Sequence, residues 1–259
     1  MPINSKFALL RIQLRQQSKH IIRHILQNHI IKNTIKTNTE ICIFCNRTNN
    51  LTKEHVLPKW TFEKDTEKFF ITDVNESEQT YNKTTVPVCA DCNNGVLAYI
   101  ESYIITTLKN TDLSKAFFTS EEAQNIIRWL EIIEYKFHVL EARRKFIKHK
   151  SSGYIPYLAD IPVSVMRKEI DYSPAKVIAR LRLSQRRVTI KEKTRNENAL
   201  VVFKSKNESF HFFHQMNEYI FLELPEFQVA LFYFYSKYFE SNSDAHHEAM
   251  RTMNRSYVS

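Results

Sequence analysis

Seven residues between positions 42 and 93 have types and spacings that could do chemistry. All four cysteines fall in two C-x-x-C pairs, Cys42 and Cys45 in "CIFC" and Cys89 and Cys92 in "CADC". Between the pairs, "LTKEHVLPKW" sets Glu54 beside His55, and Asn93 follows the last cysteine directly. Four thiolates from two such turns meet the tetrahedral demand of zinc with little backbone strain. A site so filled is closed, so its ion stabilises the fold and leaves no open position for a substrate. The competing chemistry is a pair of redox C-x-x-C sites, but neither pair lies in a thioredoxin-like βαβ context. A Glu carboxylate and an Asn carbonyl offer oxygen donors to a hard divalent cation, and a neutral imidazole can act as a base near pH 7. Taken singly, these residues are more often structural: His55 as a hydrogen-bond donor, Glu54 as a surface partner of Lys53 or Lys59.

The stretch "CIFCNRTNNLTKEHVLP" followed by "VPVCADCNNG" resembles the four-cysteine form of the HNH endonucleases, the ββα-metal nucleases that include the McrA-like restriction enzymes. The resemblance covers roughly residues 40 to 105. It implies an acid-His pair and Pro58 on a first strand and loop, a second strand "TTVPV" running into the second cysteine pair, and a helix through "GVLAYIESYI". It implies that Cys42, Cys45, Cys89 and Cys92 hold a structural zinc ion, that His55 is the general base, and that Glu54 and Asn93 hold one catalytic magnesium or manganese ion. The implied activity is hydrolysis of DNA phosphodiester bonds, in restriction or phage defence, by a homodimer or with a partner protein of a defence system, and with no membrane involved. Glu54 stands where many members have Asp. Thr84 stands where the family usually has the Asn that braces the histidine loop, so Thr84 or nearby Asn82 would have to take over. Asn94 is the alternative to Asn93 as ligand. The rival reading is a zinc-stabilised nucleic-acid or protein binding module whose nuclease element has decayed.

The elements expected to position these groups make an α+β fold: a basic helical N-terminal arm at 1–39, the zinc-stabilised ββα-metal module at 40–110, and a C-terminal α+β region of unassigned role at 111–259. In "FALLRIQLRQQSKHIIRHILQNHIIKNTIK", Leu10, Leu14, Ile21, Ile22, Ile25 and Leu26 recur between cations, which predicts one or two amphipathic helices. No acid occurs from Met1 to Thr39, and Lys6, Arg11, Arg15, Lys19, Arg23, Lys32 and Lys36 carry most of the chain's net +9. Such a helix either packs on the body with a solvated basic face or grips nucleic acid through Arg11, Arg15, Lys19 and Arg23; an organellar transit peptide is a third reading. "TSEEAQNIIRWLEIIEYKFHVLEARRKF" predicts a long central helix, with Thr119 and Glu122 at capping-box spacing and Ile126, Leu130, Ile133, Phe137 and Leu140 at steps of four and three. It ends in Arg143, Arg144, Lys145, Lys148 and Lys150, which either complement the helix dipole or, through Arg143, Arg144 and Lys148, contact a nucleic-acid backbone.

Beyond Gly153, "KVIARLRLSQRRVTIKE", "ALVVFKS", "SFHFFH", "YIFLEL" and "FQVALFYFY" predict a mainly antiparallel sheet, with Arg180 and Arg182 on one strand face. His246 and His247 near the C-terminus are expected in a solvated tail. Only two glycines are present, which excludes a phosphate-cradling Gly-rich loop and with it P-loop and dinucleotide-fingerprint functions. No apolar run is long enough to span a bilayer and no secretory leader is evident, so the expected location is the cytoplasm.

Overall fold

The computed structural model describes residues 2–30, 39–63, 69–71, 78–111, 118–144, 174–190 and 195–258. The chain is α+β, with five longer helices and three antiparallel sheets among these residues. Lys145, Lys148 and Lys150 lie outside them, as does the side chain of Arg144.

Helix α1 (Ile3–Ile25) begins after an extended Pro2 and buries Phe7, Leu10, Leu14, Ile21 and Ile25, one stripe at helical spacing. A π-helical turn, Leu26–Ile30, ends it. The stripe packs on three other helices, α2 (Ala98–Asn110), α3 (Ser120–Arg144) and α4 (Pro174–Thr189), while Arg15, Lys19 and Arg23 stay exposed. The predicted capping box of α3 is formed: the Glu122 N–H donates to Thr119 Oγ1 at 3.3 Å and Glu122 Oε2 accepts from the Thr119 N–H at 2.8 Å. Ile126, Leu130, Ile133, Phe137 and Leu140 are core, as expected.

The flanks and back of α3 are buried too. Glu131, Glu134, Lys136, His138 and Glu141 are all less than a tenth exposed. Burying charge is costly unless it is paired, and pairs are present. Arg195 grips Glu131 at 2.6 Å, His138 Nε2 meets Glu134 Oε1 at 2.9 Å, and Lys136 reaches Glu54 at 2.8 Å. Helix α3 is therefore the central strut between the cysteine region and the C-terminal sheet.

That sheet has strand order β5–β8–β7–β6, from β5 (Leu200–Lys204), β6 (His211–Gln215), β7 (Tyr219–Leu224) and β8 (Val229–Phe234), all antiparallel. Its register lines up Val201, Phe232, Phe221 and Phe213 as one cross-strand row, and every residue of β8 is buried. The row stacks at 4.6 Å between Phe213 and Phe221. Phe137 of α3 stacks on Phe212 and His214, so the helix lies against this sheet.

Two expectations are corrected. "KVIARLRLSQRR" is not a strand but helix α4, because Ile178, Leu181, Ser184 and Gln185 are the buried positions, a spacing of three and four rather than two. Its Val and Ile residues and its local Arg-Leu alternation suit a strand, but packing against α1 and α3 selects the helix. Arg180 and Arg182 therefore do not share a strand face. His246 and His247 lie not in a tail but in helix α5 (Asn242–Val258), which buries Ala245 and Ala249 and rests on β5.

With glycine so scarce, the left-handed turn positions fall to other residues. Asn46, Asn50, Asn217 and Gln228 have φ between 52° and 66°; asparagine tolerates this region better than most side chains.

Candidate metal centre and its surroundings

The cysteine cluster is assembled by two strands and a turn. β1 (Leu51–His55) pairs antiparallel with β4 (Thr85–Cys89), and the register sets Leu51 opposite Cys89, Glu54 opposite Val86 and His55 opposite Thr85. The Cys42 carbonyl accepts the Asn46 N–H at 2.9 Å and the Cys42 N–H donates to the Arg47 carbonyl at 2.7 Å. The left-handed Asn46 closes this turn and aims Cys42 and Cys45 at β4. After β4 the chain enters a helical turn at Ala90–Cys92, a π turn at Asn93–Leu97, and then α2. Two short strands, β2 (Phe69–Ile71) and β3 (Glu78–Thr80), pair antiparallel in the excursion between β1 and β4.

The ligand atoms of Cys42, Cys45, Cys89 and Cys92 all lie within 4.8 Å of one another, and Cys42, Cys89 and Cys92 are buried. Such a cluster could hold a metal ion such as zinc. Its electrostatics fit a cation. A hydrogen bond from Cys92 is the largest influence pulling the Cys42 thiol down to about 5, whereas burial pushes Cys45 up to about 12 and the hydrogen bond to Cys42 pushes Cys92 higher still. Four thiols crowded on one point do not all ionise unless positive charge joins them. Gln13 of α1 covers the cluster, 3.6 Å from Cys92 Sγ.

The expected catalytic groups surround β1, on different faces. Strand alternation sends Thr52 and Glu54 to one side and His55 to the other. Glu54 is buried, and its Oε1 accepts a hydrogen bond from the Lys136 ammonium at 2.8 Å; the same ammonium donates to the His55 carbonyl at 2.8 Å. Asn93 Nδ2 donates to Thr52 Oγ1 at 2.9 Å, so Asn93 faces the Glu54 side of the strand. His55 Nε2 lies 3.2 Å from both the carbonyl oxygen and Oδ1 of Asn82, and its ring packs edge-on to Phe62. Asn82, rather than Thr84, is the residue that touches the histidine. Thr84 is buried and fastens the loop through its backbone, its carbonyl accepting the Val56 N–H at 2.9 Å.

Two further residues belong to this site, Lys136 and Glu101. Burial pushes the Glu101 carboxyl up to about 7, with the charge of Lys136 pulling it down and that of Glu54 pushing it up. The signal for Lys136 in the sequence is a lone lysine among the apolar residues of the central helix. Nothing local in "GVLAYIESYI" singles out Glu101.

The expected backbone contacts lie in different places. Arg143 is ion-paired with Glu40 at 2.6 Å. Lys19 and Arg23 of α1 and Arg182 and Arg186 of α4 instead line a groove of about 570 Å³ floored by Ile22 and Leu26, with no acidic side chain among the described residues of its walls. Arg11 is half-buried at a different junction, beside Arg128 and Glu131.

These features define an α+β protein with a buried four-cysteine cluster suited to a metal ion. No family model, curated protein or solved structure matches the chain. No helix among the described residues is long and apolar enough to cross a membrane.

Proposed function

We propose that the chain is a metal-dependent endonuclease of the HNH type that hydrolyses phosphodiester bonds in DNA. The observation that carries this reading is the tethered imidazole of His55, at the end of the first strand of a strand–strand–helix unit joined by four clustered cysteines. With Nε2–H donated to an Asn82 oxygen, the lone pair is left on Nδ1, and that nitrogen can take a proton from water. The water oxygen then bonds to phosphorus as the bond from phosphorus to the 3′ oxygen breaks, the 3′ oxygen takes a proton from solvent to leave as a hydroxyl, and the imidazolium returns its proton to solvent. Glu54 and Asn93 would hold the catalytic magnesium or manganese ion, with Glu101 as an added carboxylate nearby. When bound, such an ion supplies Lewis acidity at the phosphate and at the leaving oxygen. Zinc on the four cysteines would hold the unit together without taking part. The groove between α1 and α4 suits a phosphate backbone, because its four cations face no acid among the described residues that line it. A role in restriction or phage defence, as a homodimer or with a partner protein in the cytoplasm, fits this activity.

One observation favours the rival reading, a binding module whose nuclease element has decayed. Lys136 already occupies Glu54, and an ammonium is a competitor for any divalent ion there. The test is cleavage of supercoiled plasmid by the wild type and by His55→Ala, each with magnesium, with manganese and with EDTA. The expected result is metal-dependent nicking or linearisation that falls by about 10²–10⁴-fold in the variant. Equal cutting by both proteins removes His55 as the base. No cutting by a zinc-loaded wild type, together with no manganese at Glu54 in a soaked crystal, establishes the binding module.

A further inference from the structure

We infer a second metal site, built from His24, His29 and Glu40, that takes a divalent transition ion of the zinc class. It is separate from the four cysteines and independent of the nuclease reading. One ligand atom from each of the three residues lies within 4.8 Å of the others. The backbone explains how two of them meet. Residues five apart on an α-helix point about 140° away from each other, but α1 gives way at Leu26–Ile30 to a π-helical turn, whose i→i+5 bonding brings such residues onto one side. The two imidazoles accordingly face each other edge-on with ring centres 6.2 Å apart. The π turn costs regular hydrogen-bond geometry, and single π turns recur where a side chain must be re-aimed for function.

The surroundings resemble a second coordination shell. The Asn28 amide lies 3.0 Å from the His24 carbonyl oxygen and 3.2 Å from His24 Nδ1. With Nδ2 donating to the carbonyl, Asn28 is held against the His24 ring; binding of an ion through Nε2 asks the amide to give up Nδ1 so that the ring proton can sit there. Arg143 binds Glu40 Oε1 at 2.6 Å, which leaves the second carboxylate oxygen for a metal. Carboxylate ligands are commonly held from behind in this way. Two imidazoles and one carboxylate are a borderline donor set that suits zinc and disfavours magnesium or calcium. Closing on the ion asks each side chain to move inward, because zinc–nitrogen bonds are about 2.0–2.1 Å. The ion would tie the end of α1 to the segment that enters the cysteine cluster two residues later, at Cys42.

The test uses the full-length protein, saturated with zinc, freed of excess by dialysis against a zinc buffer, and assayed for metal by mass spectrometry. Two zinc ions per chain are expected for the wild type, and one for His24→Gln and for His29→Gln. Cobalt substitution reports the two sites separately. The thiolate-to-cobalt charge-transfer band should be unchanged in both variants, which also shows that the cysteine unit is folded, while the ligand-field absorption falls. One zinc per chain in the wild type overturns the inference, and so do two in the His24→Gln/His29→Gln double variant.

Discussion

The cysteine unit and the C-terminal sheet solve the same problem, holding short strands together, by opposite means. β1 and β4 form a two-stranded ladder, and a pair of strands alone is marginal in water. Their cohesion comes from four thiols gathered on one point and from α1 and α3 packed around them. The four-stranded sheet is held instead by its own side chains, with an aromatic row across three strands and a fully buried β8. Cross-strand aromatic pairs of this kind stabilise a sheet without any ligand. The difference sets a unit whose four clustered thiols could hold an ion against a sheet closed by its own side chains.

The sharpest way to break that comparison is to remove the cysteine ligands. Cys42→Ser, or a strong zinc chelator, is expected to forfeit a metal contribution on the order of 10 kcal/mol. Amide exchange should then accelerate throughout β1 and β4 while β7 and β8 keep most of their protection. Equal loss in both regions would show that the sheet leans on the metal as well.

A smaller effect is expected where the two halves meet, at Lys136. Lys136→Met leaves the buried Glu54 carboxylate without its partner and should cost about 3–5 kcal/mol in urea unfolding. The Glu54→Gln/Lys136→Met double variant should recover most of that loss. A neutral Lys136→Met would mean that Glu54 has another partner once the lysine is gone.

The smallest effect concerns Glu101 and depends on pH. Its carboxyl is pushed up from an ordinary 4.5 to about 7 in the folded chain, chiefly by burial. The folded state thus keeps a proton that the unfolded state releases, and stability from this group is complete below about 4.5 and lost as pH rises through 7. In metal-free buffer, Glu101→Gln should match the wild type near pH 4 and exceed it by at most about 3 kcal/mol near pH 8. A gain that is the same at both pH values would show that burial does not penalise this carboxylate.

Much of the fold was legible because it rests on local signals. The capping box of α3 follows from capping chemistry, the stripe of α1 from the 3.6-residue period, and strands β5 to β8 from runs of β-branched and aromatic residues between turn-like breaks. Helix α4 was not legible as a helix, because alternation over a few residues fits a strand as well as a helix and only its neighbours decide. At the site, the clustering of the four cysteines followed from their paired spacing. Lys136 and Glu101 did not, since their relation to Glu54 spans 82 and 47 positions, respectively, and no local pattern encodes such a distance.

By itself, then, the sequence determined most of the elements, helix α4 excepted, and the donor types: two C-x-x-C turns, an acid beside a histidine, an asparagine after the last cysteine, and a surplus of cations in the first helix. Tertiary structure alone decided which side chains share a space. It set Glu54 against Lys136, His55 against Asn82, and Lys19 and Arg23 across a groove from Arg182 and Arg186. It also put His24 and His29 within reach of Glu40. The reason is physical: propensity and periodicity act over a few residues, whereas pairing a buried charge or gathering metal ligands is a condition on residues far apart in the chain, met only when the whole core closes.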